Sequence, residues 1–338
     1  MYMYEEETTL VWNLFGLEMS PYAGFVGIGA LLGVIAFCAV GRKLKWTAVL
    51  CTLLLGVPLA ALGARAFYVL ARWSYFAEEI GFSSFFRAQN PDSDFWGAAR
   101  GGAFWGAVGG GALAALAAGR LTKTKVSDLL DALAPAAALT LAVSRFGEYS
   151  IGEGIGPDVT PPELCFFPIA VSNEWGEWKY ALFLLEGLTA LVIFLWLVMK
   201  GKERTGGYRA RAFLILYSAC QVLLEALRRD NFLRWLFVRV SQVTCGVVML
   251  FLFVFAVIRW LKRPEAVGRT RRKNEAEKMS AARVIFCGAA FLLLTGAVVA
   301  LEFAVDKSPD MPVATAYGLE ALCAAGMGVS VWQVAMKN

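Results

Sequence analysis

The sequence predicts an all-α, polytopic integral membrane protein, and three observations carry that prediction. Of 338 residues, 58% are hydrophobic and 17% charged, with a mean hydropathy of +0.58, whereas a soluble domain carries about a quarter charged residues. Apolar runs long enough to span a bilayer recur along the whole chain. Lysine and arginine collect in alternate loops, as the positive-inside rule requires of a multi-pass protein.

The candidate spans, in order, are Pro21–Val40, Trp46–Leu70, Gly102–Ala118, Leu129–Val143, Tyr180–Met199, Ala212–Leu227, Trp235–Val257, Val284–Val305 and Ala316–Val334. The third and fourth are rich in Gly and Ala. Small residues let helix backbones approach closely, so these two suit the inside of a bundle better than the lipid face. The start, MYMYEEETTLVW, has neither a basic n-region nor a cleavage signature, so the first run is expected to be retained.

Charge fixes the expected orientation. Arg42, Lys43 and Lys45 follow span 1, and Arg120, Lys123 and Lys125 follow span 3. Lys200, Lys202, Arg204, Arg209 and Arg211 follow span 5, and the stretch from Arg259 to Arg283 follows span 7. Acidic residues mark the other side: Glu5, Glu6 and Glu7, then Glu148, Glu153, Asp158, Glu163, Glu174 and Glu177, then Asp306 and Asp310. The expectation is an N-terminus outside and a C-terminus in the cytoplasm. Arg228, Arg229, Arg234 and Arg239 break the pattern by following span 6 on the outer side. Either they have a local task or they belong to a shallow turn with snorkelling side chains.

Composition also narrows the chemistry. There is no histidine, which removes imidazole acid–base catalysis and His-ligated metals. Six of seven cysteines (Cys38, Cys51, Cys220, Cys245, Cys287 and Cys323) lie in apolar runs and read as packing residues without metal-type spacing. The net charge of +5 reports topology, so no nucleic-acid partner is expected. No inverted repeat or mid-span break suggests a transporter.

With the topology in hand, the polar residues near span ends converge on the outer half of the bilayer. Tyr22 opens span 1, Arg65 and Tyr68 lie near the end of span 2, and Gly101–Gly106 opens span 3. Arg145 closes span 4, Tyr180 opens span 5, and Glu225 and Arg228 close span 6. A charge in hydrocarbon is costly unless paired or awaiting an ionic ligand. Some of these charges have local answers: Gln221, Glu225 and Arg228 share a helix face, and Arg145 lies three residues before Glu148. Three arginines within apolar walls also describe a site for an anionic lipid headgroup, since a guanidinium binds phosphate bidentately.

Six blocks in order carry a resemblance to a known family: PYAGFVGIGALLG at Pro21, LGARAFYVL at Leu62, RGGAFWGAVGG at Arg100, LLDALAPAAALTLAVSRFGEYSIGEGIG at Leu129, KYALFLLEG at Lys179 and CQVLLEALRRD at Cys220. Over about residues 15–260 the chain resembles the prolipoprotein diacylglyceryl transferases. The resemblance implies a seven-span bundle with two extra C-terminal spans, divided as a membrane domain at 1–260, a basic cytoplasmic loop at 261–283 and two helices at 284–338. It implies transfer of the diacylglyceryl group of phosphatidylglycerol to the lipobox cysteine of a prolipoprotein, at a bacterial inner membrane. Glycerol phosphate is released, and no metal or organic cofactor is needed. The implied partners are phosphatidylglycerol or another phospholipid, a prolipoprotein lipobox peptide and the membrane lipids.

Carried over by position, Arg145, Glu153 and Glu225 take catalytic roles. Arg65, Arg145, Arg228, Tyr22, Tyr68 and Gly147 bind the headgroup, and Gly152 also matches a motif position. Glu153 and Glu225 would position the arginines. With no histidine present, the thiol's proton goes to Glu148, Glu153 or water. The chain departs from the family pattern at Trp105 (His in the family), Glu148 and Ile151 (both Asn) and Gln221 (Arg). At Gln221 a cation becomes neutral and at Glu148 an amide becomes an anion, so the site is expected to be about two charge units more negative. The alternative function is a relative that binds a lipid or lipoprotein without transfer, or that uses a less anionic lipid. Glu302 and Glu320, in the two extra spans, read as solvated residues near helix ends.

Overall fold

The computed structural model describes residues 12–14, 17–74, 76–77, 102–172, 176–201, 206–229, 233–235, 238–262, 280–307 and 313–336. The acidic start (Glu5, Glu6, Glu7), Arg100, Gly101, Glu174, Lys202, Arg204, most of the basic stretch after span 7 and Asp310 lie outside the described residues. Nine helices among the described residues are long and apolar enough to cross a membrane. They are α1 (Pro21–Val40), α2 (Trp46–Ala71), α3 (Phe104–Thr122), α4 (Val126–Arg145), α5 (Leu182–Lys200), α6 (Tyr208–Leu227), α7 (Val240–Leu261), α8 (Ala281–Lys307) and α9 (Val313–Ala335). The protein is an all-α, polytopic membrane protein, as its hydropathy predicts.

Three short antiparallel hairpins accompany the helices: β1 (Trp12–Leu14) with β2 (Leu17–Met19), β3 (Ala170–Ser172) with β4 (Trp178–Tyr180), and β5 (Arg234–Trp235) with β6 (Val238–Arg239). They shift two expected boundaries. Span 5 starts at Leu182 instead of Tyr180 because Trp178–Tyr180 pairs as a strand, and span 7 starts at Val240 instead of Trp235 for the same reason. Periodicity over a continuous apolar run does not separate strand from helix, so the sequence merged the two.

The chain divides into two compact units, Met1–Phe213 with Leu227–Ser241, and Leu214–Ala226 with Gln242–Asn338. In the first, α2 packs on α3, α1 on α4, and α4 on both α3 and α5. Glycine makes these approaches possible. A Cβ added at Gly106 would lie 2.1 Å from the Gly63 carbonyl oxygen, and one at Gly110 would lie 2.0 Å from that of Leu59. Between α1 and α4, a Cβ at Gly33 would lie 2.1 Å from Thr140 Oγ1, whose hydroxyl donates to the Gly29 carbonyl at 3.0 Å. These are the small-residue contacts expected where lipid supplies no hydrophobic drive between helices.

Two helix starts in this unit are answered by side chains. The Ser20 hydroxyl accepts from Ala23 N–H at 3.2 Å, and Pro21 occupies the first turn of α1, as an N-cap requires. The start of α6 is capped from another helix. Buried Asp131 of α4 accepts from Gly207 N–H at 2.8 Å and Ala210 N–H at 3.0 Å, satisfying donors that the first turn leaves open.

In the second unit α8 packs on α9, and Phe253 of α7 stacks on Phe291 of α8 at 6.3 Å. Here the sequence reading of Glu320 as solvated is corrected, since its exposure is 1%. Gln242 Nε2 donates to Glu302 Oε1 at 2.8 Å, to Glu320 Oε1 at 3.4 Å and to the Val222 carbonyl at 3.3 Å. A polar group inside an apolar bundle needs such a partner; position near a helix end did not reveal it.

The α2–α3 contact yields a direct test. Gly110→Val should destabilise the purified protein by about 1–3 kcal/mol or more, the cost of forcing atoms into a filled interface. Gly109→Ala, where an added Cβ meets nothing within 4 Å, should leave the detergent melting temperature unchanged.

Candidate active site

Helix α4 carries its apolar face to Arg145 and then gives way to a tight turn. Phe146 and Gly147 lead into a 3-10 turn, Glu148–Ile151, which ends at Gly152 with φ of +66°. The turn reverses the chain so that Glu148 faces back toward Arg145, three residues earlier. Gly147 fits against α1, where an added Cβ would stand 2.8 Å from Phe25 Cβ and 3.1 Å from Tyr22 Cα. Gly154 is required twice over. Its φ is +69°, and an added Cβ would lie 2.7 Å from Glu148 Oε2.

Around this turn four buried side chains form a closed set of ion pairs. Arg145 Nη1 bonds Glu148 Oε1, and Arg145 Nε lies 3.0 Å from Glu186 Oε2 of α5. Arg228 Nη1 lies 3.5 Å from Glu148 Oε2, and 3.3 and 3.2 Å from the two Glu186 oxygens. Two guanidinium groups face two carboxylates, and the formal charge of the four is zero. Arg239 Nη2 donates to the Arg228 carbonyl at 2.5 Å, tying the β5–β6 hairpin to the same point. The backbone closes round the cluster through Arg229 N–H to Ile155 O at 2.8 Å and Phe183 N–H to Gly154 O at 2.7 Å.

Several residues singled out from the sequence meet here. Tyr22 lies within coulombic range of Arg145, Glu148, Glu153 and Arg228, and Gly147 holds the turn against its helix. Arg65 and Tyr68 meet in a second cluster near the end of α2. The Arg65 guanidinium sits 5.6 Å from the Tyr68 ring and 5.4 Å from Phe76, and Arg72 sits 5.3 Å from Tyr68. Glu225 belongs to the second unit, where it accepts from Gln221 Nε2 at 2.9 Å. Trp105 is buried at the start of α3.

Sequence reasoning missed Glu186, which forms ion pairs with both arginines of the cluster. Its signal was present: it is a lone acid inside the otherwise apolar run of α5, and an ionisable residue in a span is by default a functional candidate. The attention given to charges near span ends passed over it. Asp131 was missed in the same way.

Residues 9–258 match the family described as prolipoprotein diacylglyceryl transferase. The chain belongs to that family. Among similar curated proteins, one from Finegoldia magna is 26% identical over 226 residues, covering 66% of this chain and 84% of the relative. One from Streptococcus suis is 29% identical over 251 residues (72% and 89%), and one from Lactococcus lactis is 28% identical over 263 residues (73% and 95%). All three are named phosphatidylglycerol–prolipoprotein diacylglyceryl transferase. The diacylglyceryl transferase match contains all four members of the ion-pair cluster and ends within α7, before α8 and α9.

Removing one partner from a buried ion pair strands the other charge, at a cost of about 3–5 kcal/mol. Glu186→Ala should therefore lower the unfolding free energy of the detergent-purified protein by roughly that amount. Glu186→Gln, which keeps an oxygen to accept from the guanidinium groups, should lose less.

Proposed function

We propose that this chain transfers the diacylglyceryl group of phosphatidylglycerol to the lipobox cysteine thiol of prolipoproteins. Family membership and the relatives' names support transfer and lend no weight to a binding-only relative. The observation that carries the reading is the buried pairing of Arg145 and Arg228 around Glu148 and Glu186. In the reaction the thiol sulfur forms a bond to the glycerol carbon. The bond from that carbon to the phosphate oxygen breaks with its electron pair on oxygen, and glycerol phosphate departs. The negative charge developing on the phosphate is what two fixed guanidinium groups in a dry site stabilise.

The geometry suggests how a phosphate reaches arginines that already have partners. Glu148 bridges them, Oε1 bonding Arg145 and Oε2 standing 3.5 Å from Arg228 as an ion pair. Glu186 sits on a spanning helix, whereas Glu148 sits on a short turn between glycines. On this reading an incoming phosphate displaces Glu148 and takes over its contacts, and the released carboxylate accepts the thiol proton. The negative charge that Glu148 adds at a position of Asn in the family is then a placeholder for the substrate. Glu153 keeps the positioning role that the family pattern implies, and Arg65 with Tyr68 forms a second headgroup-binding group beside Arg72.

The alternating basic loops support a bacterial inner membrane, with the N-terminus outside, the C-terminus cytoplasmic and the site in the outer leaflet. Residues 1–260 would then form the transferase domain, with α8 and α9 as an addition.

Expression in cells depleted of their own transferase should restore diacylglyceryl modification of a reporter prolipoprotein. No modification by the native chain at normal expression would end this reading. Arg145→Ala and Arg228→Ala should each reduce the rate about 10²–10³-fold, the loss typical of a removed charge-stabilising donor. Glu148→Asn separates the two roles given to Glu148. KM for phosphatidylglycerol should fall because no internal anion competes, and kcat should fall by at least about 10²-fold because the proton acceptor is gone.

A further inference from the structure

Nearly all the exposed large apolar side chains among the described residues lie on spanning helices, where lipid covers them. Phe166, Phe167 and Ile169 do not: they are 48%, 51% and 38% exposed in the connection between α4 and α5. They belong to the stretch PPELCFFPI, residues 161–169, whose single charge is Glu163. The Ile169 and Ala170 N–H groups both donate to the Phe166 carbonyl, at 3.0 and 2.9 Å. These bonds close Phe166–Ile169 into a compact tip, while Ala170 and Val171 at its base are buried.

The depth of this tip follows from one bond. Ala181 N–H donates to the Ile169 carbonyl at 3.0 Å, and Ala181 immediately precedes Leu182, where α5 begins. The tip therefore stands at the level where a spanning helix enters the apolar phase. Aromatic residues are favoured at that level. A contiguous exposed apolar group is poorly suited to open water.

We propose that Phe166, Phe167 and Ile169 form an interfacial anchor that inserts into the headgroup region of the bilayer spanned by α5. The partner is the lipid surface itself. The anchor is coupled to the ion-pair cluster by a short path. Ile169 bonds Ala181, and two residues on, Phe183 N–H bonds the Gly154 carbonyl, whose residue lies against Glu148 Oε2. Seating the tip in the membrane thereby fixes the depth of the turn that carries Glu148. The proposal depends on α5 crossing the bilayer and not on transfer chemistry.

The test is photocrosslinking of the full chain in phospholipid nanodiscs, with p-benzoylphenylalanine replacing Phe167. The swap puts an aromatic in place of an exposed aromatic, so folding is retained. The control places the same group at Glu177, which is exposed in the same connection. Mass spectrometry should find roughly tenfold more phospholipid adduct at 167, the bias expected from burying one phenylalanine in an apolar phase. Equal yields at the two positions would overturn the proposal, and so would adducts at 167 to protein instead of lipid. The readout needs no transferase activity, so an inactive chain would still test the anchor.

Discussion

Two arginines and two glutamates held out of water impose the main constraint on this molecule. Each ion loses several kcal/mol of solvation on burial, and only closely placed opposite charges offset that loss. At an effective dielectric near 20, a pair about 4 Å apart recovers about 4 kcal/mol. The four groups must therefore stay together, and each comes from a different segment: Arg145 from the end of α4, Glu148 from the turn beyond it, Glu186 from α5, and Arg228 from the residue after α6. Any shift of one segment strands a charge on the others. The cluster thus ties the end of α4 to the first turns of α5 and to the residue after α6.

The surrounding packing makes that placement attainable. Gly29 and Gly33 bring α1 against α4 through Thr140, and Gly187 lets α5 approach α4, where an added Cβ would meet the Ala142 carbonyl at 3.0 Å. Half of α4's most apolar window is buried, against 17% for α2, so the helix that delivers Arg145 is also the centre of the unit. Arg145 is held at a fixed height by helix contacts, while Glu148, beyond the helix end, is held by glycine turns.

Spans and family were legible in the sequence because hydropathy, loop charge and ordered motif blocks report them directly. Arg145, Glu148 and Tyr22 were legible for the same reason, as polar groups where apolar runs begin or end. Glu186 and Asp131 escaped because their partners are distant in sequence. Glu186 meets Arg228 across 42 residues, and Asp131 caps a helix start 76 residues away. Nothing local announces such pairs. Glu320 was misread because closeness to a helix end said nothing about Gln242. That Glu148 pairs with Arg145 and Arg228 alongside Glu186 is a result that counting charges along the chain does not give.

The central claim is that the phosphate of phosphatidylglycerol takes the place of Glu148 on the two arginines. Solid-state NMR distance measurements on the native chain in lipid address it most directly, with ¹⁵N in arginine side chains and ¹³C in glutamate carboxyls. Adding phosphatidylglycerol should weaken the Arg145–Glu148 ¹⁵N–¹³C coupling and create ¹⁵N–³¹P coupling to Arg145 and Arg228, while the couplings to Glu186 persist. An Arg145–Glu148 coupling unchanged by saturating phosphatidylglycerol, with no ³¹P contact to either arginine, would contradict the account.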